Sequence, residues 1–231
     1  MRFSIAILIW TICCLSPWLG ASAADEDVKS FSYESVMGQV GTSAETTEPS
    51  SAQTSRGGLT ILMADSGNNI SEMDLTLYSA VEKFGAAGLK IGEVVRFSAP
   101  STEWVLKSLQ IVGWSGYNRS SGLFPADRNF LIEVRDVYGE LLYKFADTQN
   151  YYFMSTGGPV IYKMDIPPLQ VPKDFVVVFY DRGSMFLCAE RGNATGNSYL
   201  IINGQLMPAE TLIAETNETV KINWLIRAIG E

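Results

Sequence analysis

Histidine is absent from all 231 residues. With it go the usual general base near neutral pH, the commonest metal ligand, and every Ser-His or Cys-His nucleophile arrangement. Basic residues are also few: 17 Lys and Arg stand against 25 Asp and Glu, a formal charge of −8. Such a surface repels a polyanionic strand, so no nucleic acid is expected as a partner. Cysteine is limited to Cys13, Cys14 and Cys188. The first two lie in an amino-terminal apolar run, which leaves Cys188 with no partner for an internal disulfide, and the fold must hold by its core. In Met185-Phe-Leu-Cys-Ala189 that thiol reads as a small buried hydrophobe rather than a nucleophile. Gly-x-Gly phosphate loops, CxxC pairs and basic stripes are missing too.

What is present begins with a leader. Arg2 precedes the mostly apolar stretch Ile5 to Leu19, and Ala21-Ser-Ala23 supplies the small-x-small pattern that a signal peptidase cuts. Residues 1–23 are therefore expected to be a signal peptide, too short and too broken by Pro17 to serve as a membrane span. Membrane contact is then confined to this segment before cleavage, and the protein is expected to be secreted, outside the cytoplasm or at the cell surface. Four Asn-x-Ser/Thr sequons, at Asn69, Asn118, Asn193 and Asn217, fit a surface glycoprotein. Residues 24–57 hold six acids, two bases and 11 Ser/Thr with little to bury, so they read as a disordered spacer.

Residues 58–90 read as a short strand and one helix leading into the domain. Leu59 to Met63 is the apolar run. Ser71-x-x-Asp74 looks like a capping box ahead of Met73, Leu77, Ala80, Val81 and Phe84 at helical spacing, with Gly85 and Gly88 closing the helix. From Ile91 to Glu231 the period becomes two. Strands are expected at 91–98, 104–114, 129–136, 140–146, 159–166, 174–182, 185–190, 198–203, 210–214 and 220–229. Phe130, Ile132 and Val134 face one way and Glu133 and Arg135 the other; Val160, Tyr162, Met164 and Ile166 oppose Lys163 and Asp165; Ile222, Trp224, Ile226 and Ala228 oppose Asn223 and Arg227. Phe175 to Tyr180 is apolar throughout, as a central strand covered on both faces would be. Asp136-Val-Tyr-Gly139 marks a hairpin turn, and Pro167-Pro168 are expected to end a strand. Strands at this spacing without helices between them imply a mainly β, antiparallel sandwich of jelly-roll type.

Several stretches carry a resemblance: Val95-Arg-Phe-Ser-Ala-Pro100 through Trp104-Val-Leu-Lys107, Phe130-Leu-Ile-Glu-Val-Arg-Asp-Val-Tyr-Gly-Glu-Leu-Leu142, Gly196-Asn-Ser-Tyr199 and Asn223-Trp-Leu-Ile-Arg227. Together they resemble β-sandwich modules of secreted and cell-surface proteins of archaea and some bacteria, similar to galactose-binding-like and other carbohydrate-binding jelly rolls. The resemblance implies a binding or accessory role outside the cytoplasm. It rests on strands, turns and aromatic positions, so no ligand residue transfers with it.

Chemistry is sought at the sandwich ends. The loop Ser115 to Asn129 is long for a hairpin connection; with Trp114 just before it, its mix of Tyr117, Arg119, Phe124, Asp127 and Arg128 suits a ligand with apolar faces and polar edges. In that reading Trp114 and Tyr117 stack on a sugar ring while the charged residues bond its hydroxyls; in the competing one Trp114 caps the core. Trp104 and Trp224 sit on apolar faces and read as core. Of the neighbours Tyr151, Tyr152 and Phe153, at most two share a surface and one is core. A glycosidase would need two carboxylates across a cleft, and Asp127, Glu133, Asp136, Asp165, Asp181 and Glu190 are the acids available. Glu133 is expected to pair with Arg135 or Lys144 on the wet face. No cofactor is expected; a structural calcium at Asp127 or Asp181 would use oxygen ligands, but no D-x-D-x-D-G pattern supports it. The sequence thus reads as a non-catalytic binding or accessory module of the cell envelope, with a glycan or another envelope protein as partner. The alternatives are a carboxylate-based enzyme acting on polysaccharide and a purely structural envelope component.

Overall fold

The computed structural model describes residues 53–54, 58–118, 120–123, 130–147, 153–181, 185–213 and 216–231. The leader, most of the spacer, and Tyr151 and Tyr152 lie outside these residues. Two antiparallel sheets face one another. The smaller has the order β12 (Gln205–Pro208), β11 (Ser198–Ile202), β4 (Gly92–Ser98), β9 (Asp174–Asp181), β6 (Phe130–Asp136) and β7 (Leu141–Asp147). The larger runs β1 (Gln53–Thr54), β2 (Thr60–Met63), β15 (Ile226–Gly230), β5 (Val105–Trp114), β10 (Phe186–Arg191), β14 (Glu218–Trp224) and β13 (Glu210–Ile213). Off that path, β3 (Leu75–Tyr78) pairs with β10, and β8 (Val160–Gln170) pairs with β5. The fold is the mainly β antiparallel sandwich that the alternation predicts.

The side chains of one parity from both sheets interlock between them. Phe130, Ile132 and Val134 of β6, Phe175, Val177 and Phe179 of β9, and Val95 and Phe97 of β4 meet Leu106, Leu109 and Ile111 of β5 and Ile222 and Trp224 of β14. Phe130 and Phe179 stack at 5.8 Å, and Phe153, entering from the loop before β8, closes on both edge-on. Trp104 and Trp224 are buried in this core, as their apolar settings predict. The β9 strand lies centrally between β4 and β6. Its other parity, Val176 and Val178, is buried with Val94 and Ile201 on the opposite face, which is why the strand carries no polar alternation.

Four local expectations are corrected. The helix expected from Ser71 is instead a 3-10 turn over Ile70–Glu72 capped by Asn69, followed by β3. Leu77 looks like a helix position, but it alternates with Thr76 and Tyr78, and strand pairing with β10 takes the segment. The helix begins eight residues later: α1 spans Ala80–Phe84, and Ser79 is its cap, its hydroxyl accepting from the Glu82 amide at 3.1 Å. The cap that forms is thus Ser79-x-x-Glu82 rather than Ser71-x-x-Asp74. Gly85, at φ 58, ends α1 as expected. Second, Pro167 and Pro168 do not end β8. They sit where its register against β5 shifts, on an edge where the missing amides cost no ladder bond. Third, the run 220–229 is two strands: at Leu225 the chain leaves β10 and joins β5 and β2, while keeping its alternation toward the core. Fourth, β1 lies in the stretch read as spacer, and β2 and β3 are strands of the larger sheet.

At the end of β15, Gly230 is pressed so closely on β5 that a Cβ there would lie 2.1 Å from the Val105 carbonyl oxygen and 2.5 Å from the Trp104 ring. Neither partner can give way, one being backbone and the other a core indole. Gly230→Ala should cost at least about 2 kcal/mol in urea unfolding. The control Gly157→Ala meets only Ser155 Oγ at 3.7 Å and should stay within about 0.5 kcal/mol of wild type.

Candidate functional site

Alternation along β5 turns Leu109 and Ile111 inward and Val112 and Trp114 outward, so Trp114 lies on the outer face of the larger sheet and does not cap the core. Directly opposite it on β10 is Phe186, the two rings 5.8 Å apart. The Trp114 indole N–H donates to the Ser155 carbonyl at 2.9 Å, which fixes the ring's orientation while leaving it half-buried. The same face carries Ile161, opposite Val112 and 53 % exposed, and Leu77, opposite Cys188 and 40 % exposed. Beyond Trp114 the chain turns at Gly116, with φ 68, into the half-buried Tyr117. Asn118 then organises a tight turn, its side-chain oxygen accepting from the Ser120 and Ser121 amides. Of the five residues expected to line this site, Trp114 is placed on the outer face and Tyr117 lies half-buried three residues on; Arg119, Asp127 and Arg128 lie outside the described residues.

A second constellation is inside the sandwich. Ile91, Val95 and Phe97 point inward, and Glu93 shares their parity, opposite Phe179 on one side and Leu200 on the other. The neighbouring inward position on β9 is Asp181, opposite Phe130. Glu93 is 0 % exposed and Asp181 1 %. From the facing sheet come Tyr78, packed edge-on against Trp224 at 4.9 Å, and Ser79. The Ser79 hydroxyl donates to Asp181 Oδ2, which also accepts from the Val81 amide at 3.3 Å. Among the described residues, neither Glu93 oxygen nor the Tyr78 hydroxyl has a hydrogen-bond partner. Burial, reinforced by the charge of Asp181, pushes the Glu93 carboxyl well above its ordinary range, against a smaller pull from its own backbone amide. Burial and then the two acids likewise push the Tyr78 phenol up.

The other acids considered for chemistry have structural attachments. Glu133, expected on a wet face, is buried instead. It bonds Arg135 at 2.9 Å, with Lys144 at 3.7 Å and the Tyr180 hydroxyl at 3.4 Å, so the expected partners are right and their stems and the tyrosine ring exclude the water. Asp136 accepts from the Tyr138 and Glu140 amides and holds the predicted turn. Asp165 is exposed beside Lys163. Asp127 lies outside the described residues. Glu93 and Asp181 are thus the facing carboxylates that the described residues bring together, and they are sealed where a polysaccharide cannot reach. Sequence reading missed Glu93. Its signal was a charged residue at the inward parity of Ile91-Gly-Glu-Val-Val-Arg-Phe97.

Asn223, also expected to be wet, is fully buried in a polar network on the outer face of the larger sheet. Its amide donates to Glu190 Oε2 at 3.0 Å and to the Asn193 carbonyl at 2.7 Å, and its oxygen accepts from the Thr195 amide at 2.8 Å. The Thr195 hydroxyl donates to the Ala64 carbonyl, and Arg227 grips Asp65 through two bonds of 2.8 and 2.9 Å. Burial raises the Glu190 carboxyl, but bonds from Ser66, Asn223 and Asn193 outweigh it and hold the group below its ordinary value. Cys188 is the buried hydrophobe expected of it, its thiol pushed up to about 12 by burial. The asparagines of all four sequons are exposed.

No protein-family model matches the chain, and neither a curated protein nor a solved structure does.

Glu93 ties stability to pH. Its proton affinity rises on folding, so above the ordinary glutamate value of 4.5 the folded chain binds more protons than the unfolded chain and stability falls as pH rises. The charged and polar groups that act on it are the Asp181 carboxylate and, nearby, the Tyr78 phenol. Glu190, with the opposite shift, contributes only below the ordinary carboxylate range. Urea unfolding in chelator should therefore show wild type losing stability between about pH 5 and 8, and Glu93→Gln flattening that decline. An unchanged slope in the variant would contradict the assignment.

Proposed function

We propose that the chain is an exported, non-catalytic binding module of the cell envelope, and that the outer face around Trp114, Phe186 and Tyr117 takes a ring of a neutral glycan. The observation that carries this reading is the orientation of Trp114: it lies on an outward face, half-buried, with its N–H already committed to Ser155. A ring held in this way loses little freedom when a sugar stacks on it. Ile161 and Leu77 extend the apolar surface beside it. The acidic chain opposes polyanionic glycans, which favours neutral ones. The leader and the four exposed sequon asparagines support export and N-glycosylation, and the resemblance to galactose-binding-like modules points the same way. An enzyme on polysaccharide would need accessible paired acids, and Glu93 and Asp181 are enclosed.

An array of neutral polysaccharides and envelope glycans, probed with the full chain, tests the reading. Binding should weaken about tenfold in Trp114→Ala and Tyr117→Ala, with near-ultraviolet circular dichroism confirming that each variant is folded. Binding that survives both substitutions would remove the site from this face. A folded wild type that binds none of the glycans would count against a glycan ligand and favour an envelope protein on the exposed Ile161 and Leu77 surface.

A further inference from the structure

The enclosed acids remain unexplained by a glycan on the outer face. We propose that Glu93, Asp181 and Tyr78 form a buried site for a hard divalent cation of calcium's class, linking the two sheets from inside. The inference is independent of the glycan reading.

Three observations carry it. First, oxygen atoms from both sheets are gathered in one dry place: Glu93 and Asp181 from β4 and β9, Tyr78 from β3. Second, both Glu93 oxygens and the Tyr78 hydroxyl are buried without a hydrogen-bond partner among the described residues. Groups left this way cost on the order of 1–3 kcal/mol each, so they call for a ligand. Third, the register sets Glu93 and Asp181 at neighbouring inward positions of the paired strands β4 and β9, and Tyr78 enters the same core from β3. A proton on Glu93 is the competing solution, and it differs in being independent of calcium. The basic group beside the site, Lys83, lies over the Tyr78 ring, 5.5 Å from its centroid, and bonds neither acid in a described contact.

The donors name the class of ion. They are all oxygens; the chain has no histidine, and Cys188 faces the other side of the larger sheet. Hard cations take such a set, and soft or nitrogen-seeking metals do not. Calcium tolerates irregular geometry and a two-oxygen carboxylate, whereas magnesium demands a near-ideal octahedron and keeps its water. Among the described residues no third Asp, Glu, Cys or His joins them, so the rest of the shell would have to come from water or backbone carbonyls. The site lies beneath Ser79 and the start of α1, so the ion enters on folding or when that segment opens.

The full chain, stripped with chelator at about pH 8, is melted with calcium and separately with magnesium. Calcium at about 1 mM should raise the melting temperature by roughly 5 °C and magnesium by less. Terbium, a calcium probe excited through nearby aromatic rings, should luminesce on binding and be displaced by calcium. Glu93→Gln should abolish both effects. If that variant does not fold, Tyr78→Phe carries the test: it keeps the ring, and the calcium-induced shift should fall to less than half. A folded wild type with neither a thermal shift nor terbium emission overturns the proposal. So does a calcium effect of undiminished size in either variant, since the ion would then sit elsewhere.

Discussion

The inner face of the smaller sheet is built on one contact, the stack of Phe130 on Phe179, closed edge-on by Phe153. The first two rings come from adjacent strands of the smaller sheet. The third comes from a loop that also receives the Ser115 amide at its carbonyl, beside the end of β5. These three rings are among the largest fully buried side chains, and the rest of the core packs around them. Gly113, whose Cβ would lie 3.1 Å from Phe153, shows how little room is left.

The strands were legible because a half-buried strand has to alternate, and nearly every run read that way is a strand. What misled was local chemistry that serves two ends. Leu77 fits both the helical spacing of Met73, Leu77, Ala80 and Phe84 and the strand alternation with Leu75, and the partner strand β10 decides between them. Ser71 and Ser79 both begin plausible capping boxes, and Ser79 prevails because its hydroxyl is also held by Asp181 across the sandwich. Polarity misled in the same way. Charge and parity put Glu133 and Asn223 in water, and the parity is right; Arg135, two residues from Glu133, is visible in the sequence, but Tyr180 and Thr195, which also displace the water, lie outside any short window. The site was legible in part. Trp114 and Tyr117 mark a face, but whether that face was outer or inner turned on the bulge in β5 near Leu106.

The same fold handles buried acids in two opposite ways. Glu190 is surrounded by amides that donate to it and is comfortable as an anion. Glu93 has none of these donors, and its environment disfavours charge. Both lie on β-strands, so secondary structure does not separate them. The separating factor is what lies across: loop backbone and asparagine for one, the apolar inner face of the second sheet for the other.

Cys188 shows a quieter property. It is the free thiol among the described residues, enclosed by Val112 and Leu225 and kept protonated by burial. A reductant finds no bridge there to open, and an oxidant finds no thiolate to attack. Cys188 therefore gives a change of redox potential no handle on the described sandwich.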